Sequence, residues 1–260
     1  MQSAIEDVEF LVRSPTRVQL LTELAAGGSR SKYELRERIG VDRTTIQRNL
    51  DALGQRGWIH REGDGYVLDP CAAHVIDAFG EFVESVDLAD RLQPALQLVD
   101  PALLDVDVVH FADATVTTAK PGDPWAMVNA HVRRLEEVTD ATLMIPLTGL
   151  NAKRTLHDRV VEHGARVELI VSPAVLETFR TDPDYTGYYE ALKESERMTY
   201  RVYEDEMPFY LGLIDDEIVQ LGVDEDGEPR ALVESRNEEV RAWAARTLDA
   251  FRDEAEPVTD

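Results

Sequence analysis

The sequence predicts an α+β chain in three parts. A winged helix-turn-helix is expected over residues 1–70, a linker or dimerisation helix over 71–99, and an α/β domain with a mixed sheet over 100–260. Three observations predict it. Apolar residues make up 43% of the 260, enough for sizeable cores in one large or two ordinary domains. The first 70 residues carry the punctuation of helix, helix, turn, helix and hairpin. From Val106 onward, strand-like runs alternate with helical ones.

The first part reads element by element. Phe10, Leu11, Val18, Leu20, Leu21 and Leu24 recur at helical spacing, and Pro15 sits early in the second helix, where its missing N–H costs little. Gly27 and Gly28 end that helix. Ser31 is a good N-cap, and Glu34 three residues later completes a capping box for a short helix that buries Leu35 and Ile39. After a turn at Gly40-Val41, Asp42 caps a third helix, Arg43 to Gln55, with Ile46, Leu50 and Leu53 facing inward. WIHREGDGYVL then gives two short strands around Gly63-Asp64-Gly65.

Charge is distributed unevenly. The chain holds 51 Asp and Glu against 27 Lys and Arg, a net of −24, which excludes a uniformly basic nucleic-acid coat or a polybasic membrane binder. Residues 1–70 hold ten basic and eleven acidic side chains, so nearly all the excess lies beyond them. Within that part, residues 28–61 contain eight basic residues (Arg30, Lys32, Arg36, Arg38, Arg43, Arg48, Arg56, Arg61) against four acids. An island of +4 in so acidic a chain marks a segment that approaches a polyanion. Arg outnumbers Lys 23 to 4; with the acid excess this resembles the proteins of salt-in halophiles.

The stretch SPTRVQLLTELAAGGSRSKYELRERIGVDRTTIQRNLDALGQRGWIHREGDGYVLD resembles archaeal winged-helix transcription regulators, in which TxxxxLxxLxxxGWI marks a recognition helix running into the wing. Thr45, Leu50, Leu53, Gly57, Trp58 and Ile59 stand in that pattern. Double-stranded DNA is therefore the expected partner. The exposed residues of the third helix, Arg43, Thr44, Thr45, Gln47 and Arg48, would face base edges. Ser31, Lys32 and Tyr33 open the preceding helix, where N–H groups and the dipole favour a phosphate. His60 and Arg61 lie on the wing. If about five phosphates are neutralised, raising salt from roughly 0.15 to 2 M weakens binding about 10⁵-fold. A regulator in such salt needs base contacts and two half-sites, hence a homodimer. Between Ala72 and Gln93, Val75, Phe79, Phe82, Val86 and Ala89 form a coiled-coil-like seam for it, broken by Gln93 and Pro94.

In the third part, VDVVHF and the run from Val116 to Ala119 read as strands, and Pro124 to Glu137 as a helix. ATLMIPL is a strand, Asn151 to His163 an amphipathic helix, ARVELIV a strand, and Pro173 to Arg180 a short helix. MTYRVY, FYLGLI, EIVQLGV and PRALVES follow as four strands, with turns at Asp205, Asp215-Asp216 and Asp226-Gly227, and Glu238 to Asp253 closes as a helix. This part resembles the C-terminal domain of archaeal regulators such as the methanogen filamentation regulators. More loosely it is similar to the phospholipase-D-like effector domain of TrmB-type regulators, which implies a sensor for a small-molecule effector.

Catalysis is not expected. H-x-K-x₄-D chemistry fails at His131, followed by Arg133 and then Val138 where the acid belongs, and at His157, followed by Arg159 with no spaced acid. No Gly-rich phosphate loop, zinc-spaced His/Cys cluster or G-x-S-x-G motif occurs, so neither metal nor cofactor is expected. A ligand pocket at the carboxyl ends of the strands is the alternative, with Thr148, Asn151 and Lys153 after one strand, Ser172 after the next, and Tyr203 and Tyr210 as walls. The N-terminal MQSAIEDVEF lacks the pattern of a signal peptide, no run of about 18 apolar residues exists, and the single Cys71 has no cysteine partner. No membrane association and a cytoplasmic location are expected. An adaptor using its winged helix for protein contacts, or a divergent phosphodiesterase-like enzyme, remain the alternatives.

Overall fold

A computed structural model describes residues 2–258, the side chain of Ser3 excepted, and its contacts divide into two units, Met1–Val86 and Asp87–Asp260. The first unit contains α1 (Gln2–Val12), α2 (Pro15–Gly27), β1 (Arg30–Ser31), α3 (Lys32–Ile39), α4 (Arg43–Gln55), β2 (Ile59–Glu62), β3 (Gly65–Leu68) and the start of α5 (Pro70–Leu96). This is the winged helix-turn-helix that the sequence predicts. Leu11, Leu20, Leu21, Leu24, Leu35, Ile46, Leu50 and Leu53 form its core with Ile59 and Ile76.

The boundaries follow from local chemistry. Pro15 stands in the first turn of α2, and Gly28 stops that helix at φ 69°. Ser31 and Glu34 form the reciprocal capping box of α3, and Gly40 ends it in the left-handed region at φ 76°. Asp42 Oδ1 accepts from the N–H groups of Thr44 (2.8 Å) and Thr45 (2.9 Å) at the start of α4. Two features were not foreseen. The wing has a third strand, because β1 pairs with β3 through Arg30–Tyr66 and Ser31–Gly65. Asn49 is buried within α4, donating to Thr45 O at 2.9 Å and accepting from Arg17 Nε at 3.1 Å. Its amide ties α2 to α4 with its polar atoms satisfied.

The helix expected to break at Gln93-Pro94 continues to Leu96. Leu88, Leu92 and Ala95 are buried in the core of the second unit, and that packing outweighs the single backbone bond that Pro94 cannot donate. Earlier along α5, Ala72 and Ile76 are buried, while Val75, Phe82 and Val86 of the expected seam are exposed, Phe82 by 58% and Val86 by 44%.

The second unit is a mixed sheet between two helical layers. Its strands are β4 (Thr115–Thr118), β5 (Asp140–Ile145), β6 (Arg166–Val171), β7 (Met198–Val202), β8 (Tyr210–Ile214), β9 (Ile218–Glu225), β10 (Glu228–Ser235) and β11 (Glu256–Pro257), in the order β11-β7-β6-β5-β8-β9-β10-β4. β5, β6 and β7 run parallel; the other pairs are antiparallel. The helices are α6 (Ala126–Leu135), α7 (Leu150–His157, widening into a π turn over Asp158–Glu162), α8 (Pro173–Thr181), α9 (Pro183–Glu194) and α10 (Glu238–Glu254). Alternation along the strands feeds two cores. Met144, Leu211, Leu221 and Val233 pack with Trp243 and Leu248 of α10, while Leu143, Leu169 and Tyr200 pack with Leu156, Phe179 and Leu192 of the other layer.

The structure departs from the sequence expectation at one strand and adds one helix. VDVVHF is not a strand: Val108–Phe111 forms a 3-10 turn capped by Asp107 Oδ1, which accepts from Val109 N at 3.1 Å, and only Phe111 of the run is buried. α9 was unforeseen although Asp182 caps it and Pro183 opens it, a helix-start signature. The hairpin turns behave as read, with Asp215, Asp216, Asp226 and Gly227 all at positive φ.

Because Asp42 satisfies two backbone donors and also the Thr45 hydroxyl at 2.7 Å, Asp42→Ala lowers the stability of the first unit by about 1 kcal/mol. Asp42→Asn restores most of it. Urea unfolding followed by circular dichroism measures both.

Candidate nucleic-acid interface and ligand cleft

Half of the basic island is neutralised by its own neighbours. Arg30 and Arg38 approach Glu23 (3.9 and 3.3 Å), Arg36 pairs with Glu37 (3.1 Å), and Arg56 pairs with Asp7 (3.3 Å) while lying over the Phe10 ring. Among the described residues, Arg43, Arg48 and Arg61 make no ion pair and are exposed. Arg43 and Arg48 stand on α4, with Thr44 beside them, and Arg61 on the wing strand β2 next to His60, over the Tyr66 ring at 5.7 Å.

The other expected contact residues are partly committed elsewhere. Thr45 gives its hydroxyl to Asp42. Gln47 accepts from Lys32 Nζ at 2.5 Å and donates to Asp51 at 2.7 Å, so Lys32 and Gln47 join α3 to α4. Ser31 offers its N–H (2.8 Å) and hydroxyl (2.7 Å) to Glu34, which places a carboxylate where a phosphate was expected. A phosphate at that helix end has to displace it. Tyr33 is exposed, with Arg36 6.0 Å from its ring.

The second unit holds a cleft of about 650 Å³ bounded by α6, the β5–α7 connection, β8 and the β9–β10 hairpin. Thr148, Asn151, Lys153 and Tyr210 line it; Ser172 and Tyr203 do not. Ser172 is a helix cap, accepting from Val175 N and donating to Pro146 O, each at 3.3 Å. Tyr203 follows the last residue of β7 and packs on Phe251 of α10, in the other core.

Lys153 is buried to 2% exposure and, among the described residues, has no acidic partner. Its Nζ donates to the Tyr200 hydroxyl at 2.7 Å and lies 3.7 Å from the centre of the Phe179 ring, with Tyr189 and Tyr200 completing an aromatic cage. Burial pushes its pKa down to about 7. Tyr210 lies across the sheet opposite Gly222, and a Cβ at Gly212 or Gly222 would meet its ring system at 2.4 and 3.0 Å. A side chain at either place would press on the Tyr210 side chain, its hydroxyl from Gly212 and its ring from Gly222.

Sequence reasoning missed the polar group behind the cleft. His131 Nδ1 is 2.9 Å from Gln220 Oε1, which also accepts from the Tyr210 hydroxyl at 3.3 Å. Gln220 Nε2 donates to Glu234 at 3.0 Å, and Arg134 holds the same carboxylate with two bonds of 3.0 and 2.5 Å. Burial alone would raise the Glu234 pKa, but the bonds from Arg134 and Gln220 hold it below its ordinary value. Burial lowers the pKa of His131. The signal was present as spacing: His131 and Arg134 are three apart on α6, Gln220 interrupts the apolar run of residues 218–223, and Glu234 directly follows Ala231-Leu232-Val233.

Lys153 generates a pH test. Folded, it loses its proton near pH 7; unfolded, near its ordinary 10.5. Between these values the unfolded chain binds more protons, so this group makes stability rise with pH across that window. Lys153→Met removes the rise and is more stable than the parent at pH 7. Melting temperatures of the two proteins from pH 7 to 10 check it, the difference cancelling the other titrating groups.

Comparison with known proteins places these units. The family described as HVO_A0261 N-terminal domain matches residues 5–91, and that described as methanogenesis regulatory protein FilR1, middle domain, matches residues 124–254. No curated protein matches the chain. Among solved structures the chain is similar to TrmBL2, described as an archaeal chromatin protein with a novel mode of DNA binding, at 15% identity over 96% of this chain and 98% of that one (TM-score 0.42). It is similar to Nuc of Salmonella typhimurium, a phospholipase D family member, at 11% identity over 56% and 98% (TM-score 0.44). NucT of Helicobacter pylori matches at 16% identity over 56% and 98% (TM-score 0.44). The resemblance to methanogen regulators seen in the sequence is thus borne out: the chain belongs to the regulator family of the FilR1 middle domain, which it carries behind a domain of the HVO_A0261 N-terminal type.

Proposed function

We propose that the chain is a homodimeric, sequence-specific DNA-binding transcription regulator whose second unit takes a small-molecule effector in its cleft. The observation that carries the DNA reading is the trio of exposed arginines without ion pairs, Arg43 and Arg48 on α4 and Arg61 on the wing, in a chain of net charge −24. A helix-turn-helix inserts the N-terminal half of its second helix into the major groove, where Arg43, Thr44, Gln47 and Arg48 stand. Arg pairs with guanine and Gln with adenine. Gln47 is free to do so once Lys32 turns to a phosphate and the Gln47 amide releases Asp51.

The exposed apolar stripe Val75, Phe82 and Val86 on α5 supports pairing with a second copy, which doubles the base contacts per operator. That gain matters in the molar salt to which so acidic a surface is suited, because counterion release weakens phosphate contacts there. The cleft reads as a binding site without catalysis. Its His131 is tied to Gln220 and its Lys153 to Tyr200.

Genome-wide mapping of bound sites supplies the operator, and gel shifts in high salt then test the interface. The double variant Arg43→Ala/Arg48→Ala loses at least tenfold in affinity, about 1.4 kcal/mol or more, in line with the 1–3 kcal/mol expected of one base-reading arginine. Unchanged binding overturns the DNA reading. Phe82→Asp yields a monomeric mass by light scattering in molar KCl, where the parent is a dimer; a monomeric parent overturns the seam.

A further inference from the structure

The cleft is mostly apolar, yet among the described residues a part-buried ring nitrogen in its wall has no hydrogen-bond partner. That atom is Nε2 of His131. The hydrogen positions around it follow from the acids and amides behind it. Glu234 is ionised and gripped by Arg134, and an ionised carboxylate only accepts. Gln220 must therefore turn its Nε2 amide toward Glu234, as the 3.0 Å contact shows, which leaves Gln220 Oε1 facing His131 and Tyr210. A carbonyl oxygen also only accepts. Tyr210 gives it the hydroxyl proton, and His131 must carry its own proton on Nδ1. Burial keeps the imidazole neutral, so Nε2 is a bare lone pair.

That lone pair is not sealed inside the protein. The buried side-chain atoms left without a partner, among the described residues, are Tyr189 Oη and Arg241 Nε, and His131 Nε2 is not one of them. His131 lines the cleft, its ring centre 4.8 Å from that of Tyr210, and the apolar side chains of Met127, Leu143 and Ile145 line the same cleft. Trp125, 57% exposed, lines the same cleft. A volume of about 650 Å³ suits a molecule of bicyclic size.

We propose that this cleft takes a largely apolar molecule bearing a neutral hydroxyl, which donates its hydrogen bond to Nε2 of His131. The proposal rests on the reading of the cleft as the effector site, and names the chemistry of what enters it. A molecule without a donor leaves the lone pair unmatched in an apolar wall, which costs affinity. An anionic head is worse, because it brings negative charge against that lone pair. Glu234, Arg134 and Gln220 act as positioning residues: they touch no ligand, and they fix the tautomer that makes the wall an acceptor.

Isothermal titration of the full chain with three probes tests this: 1-naphthol, 1-methoxynaphthalene, which has the body without a donor, and 1-naphthoate. The expected result is that 1-naphthol binds at least fivefold more tightly than either of the others. His131→Phe abolishes the preference of 1-naphthol over 1-methoxynaphthalene while both still bind. Glu234→Gln, which leaves the imidazole in place but lets Gln220 turn over, reduces that preference. It also shifts the imidazole ¹⁵N resonances of His131 away from the pattern of a single tautomer. Equal affinity for 1-naphthol and 1-methoxynaphthalene, tighter binding of 1-naphthoate, or a preference that survives His131→Phe overturns the hydroxyl assignment and leaves the effector cleft standing. No binding of any probe overturns both. No DNA is present, so neither result bears on the reading of α4.

Discussion

The second unit is governed by a sheet covered on both faces. Once helices lie on either side of the central strands, a polar side chain buried within them has no water to turn to and must find its partners on neighbouring strands or in the opposing layer. Gln220 is fully buried in β9, and its amide has one donor side and one acceptor side to satisfy. Period-two alternation puts Gln220, Glu234 and Tyr210 on the face that meets α6, and the three-residue step from His131 to Arg134 presents both side chains to that face. The carboxylate, amide and imidazole then align in a single sense. Reversing the amide would set oxygen against oxygen at one end and leave the imidazole without its acceptor at the other.

The same reasoning explains which features were legible in the sequence. Those that depend on a few consecutive residues were: the Ser31–Glu34 box, the Asp42 cap, the Gly28 and Gly40 stops, and the aspartate-rich hairpin turns. Features set by distant partners were not. His131 meets Gln220 across 89 residues, and Arg134 meets Glu234 across 100, so no window on the chain contains the pair. Of the six residues expected to bind a ligand, the cleft gathers Thr148, Asn151, Lys153 and Tyr210. Ser172 and Tyr203 fall outside it because one became a helix cap and the other turned to the α10 layer. VDVVHF misled because its apolar letters count equally in a strand or a turn, and Asp107 decided between them.

Charge is a second case where the fold refines the letters. Eight basic residues in a row of 34 suggest a broad positive face, but Glu23, Glu37 and Asp7 come up against four of them. Such exposed pairs contribute little to stability, and among the described residues they leave the island's unpaired positive charge on Lys32 of α3, Arg43 and Arg48 of α4 and Arg61 of the wing. On the proposed reading, so acidic a chain is repelled by a polyanion everywhere except at these few cations.

Lys153 is one of four lysines, and the other three, Lys32, Lys120 and Lys193, all keep some exposure to water. Its amine has given up its proton in about half of the molecules near pH 7, yet it sits behind Phe179 and Tyr200. In chemical terms it is a nucleophile in the cleft wall that acylating reagents reach only when its cage of Phe179, Tyr189 and Tyr200 opens. The rate at which it is modified is therefore a clock for that opening, carried by the chain itself, against which the slowing caused by any occupant of the neighbouring cleft can be timed.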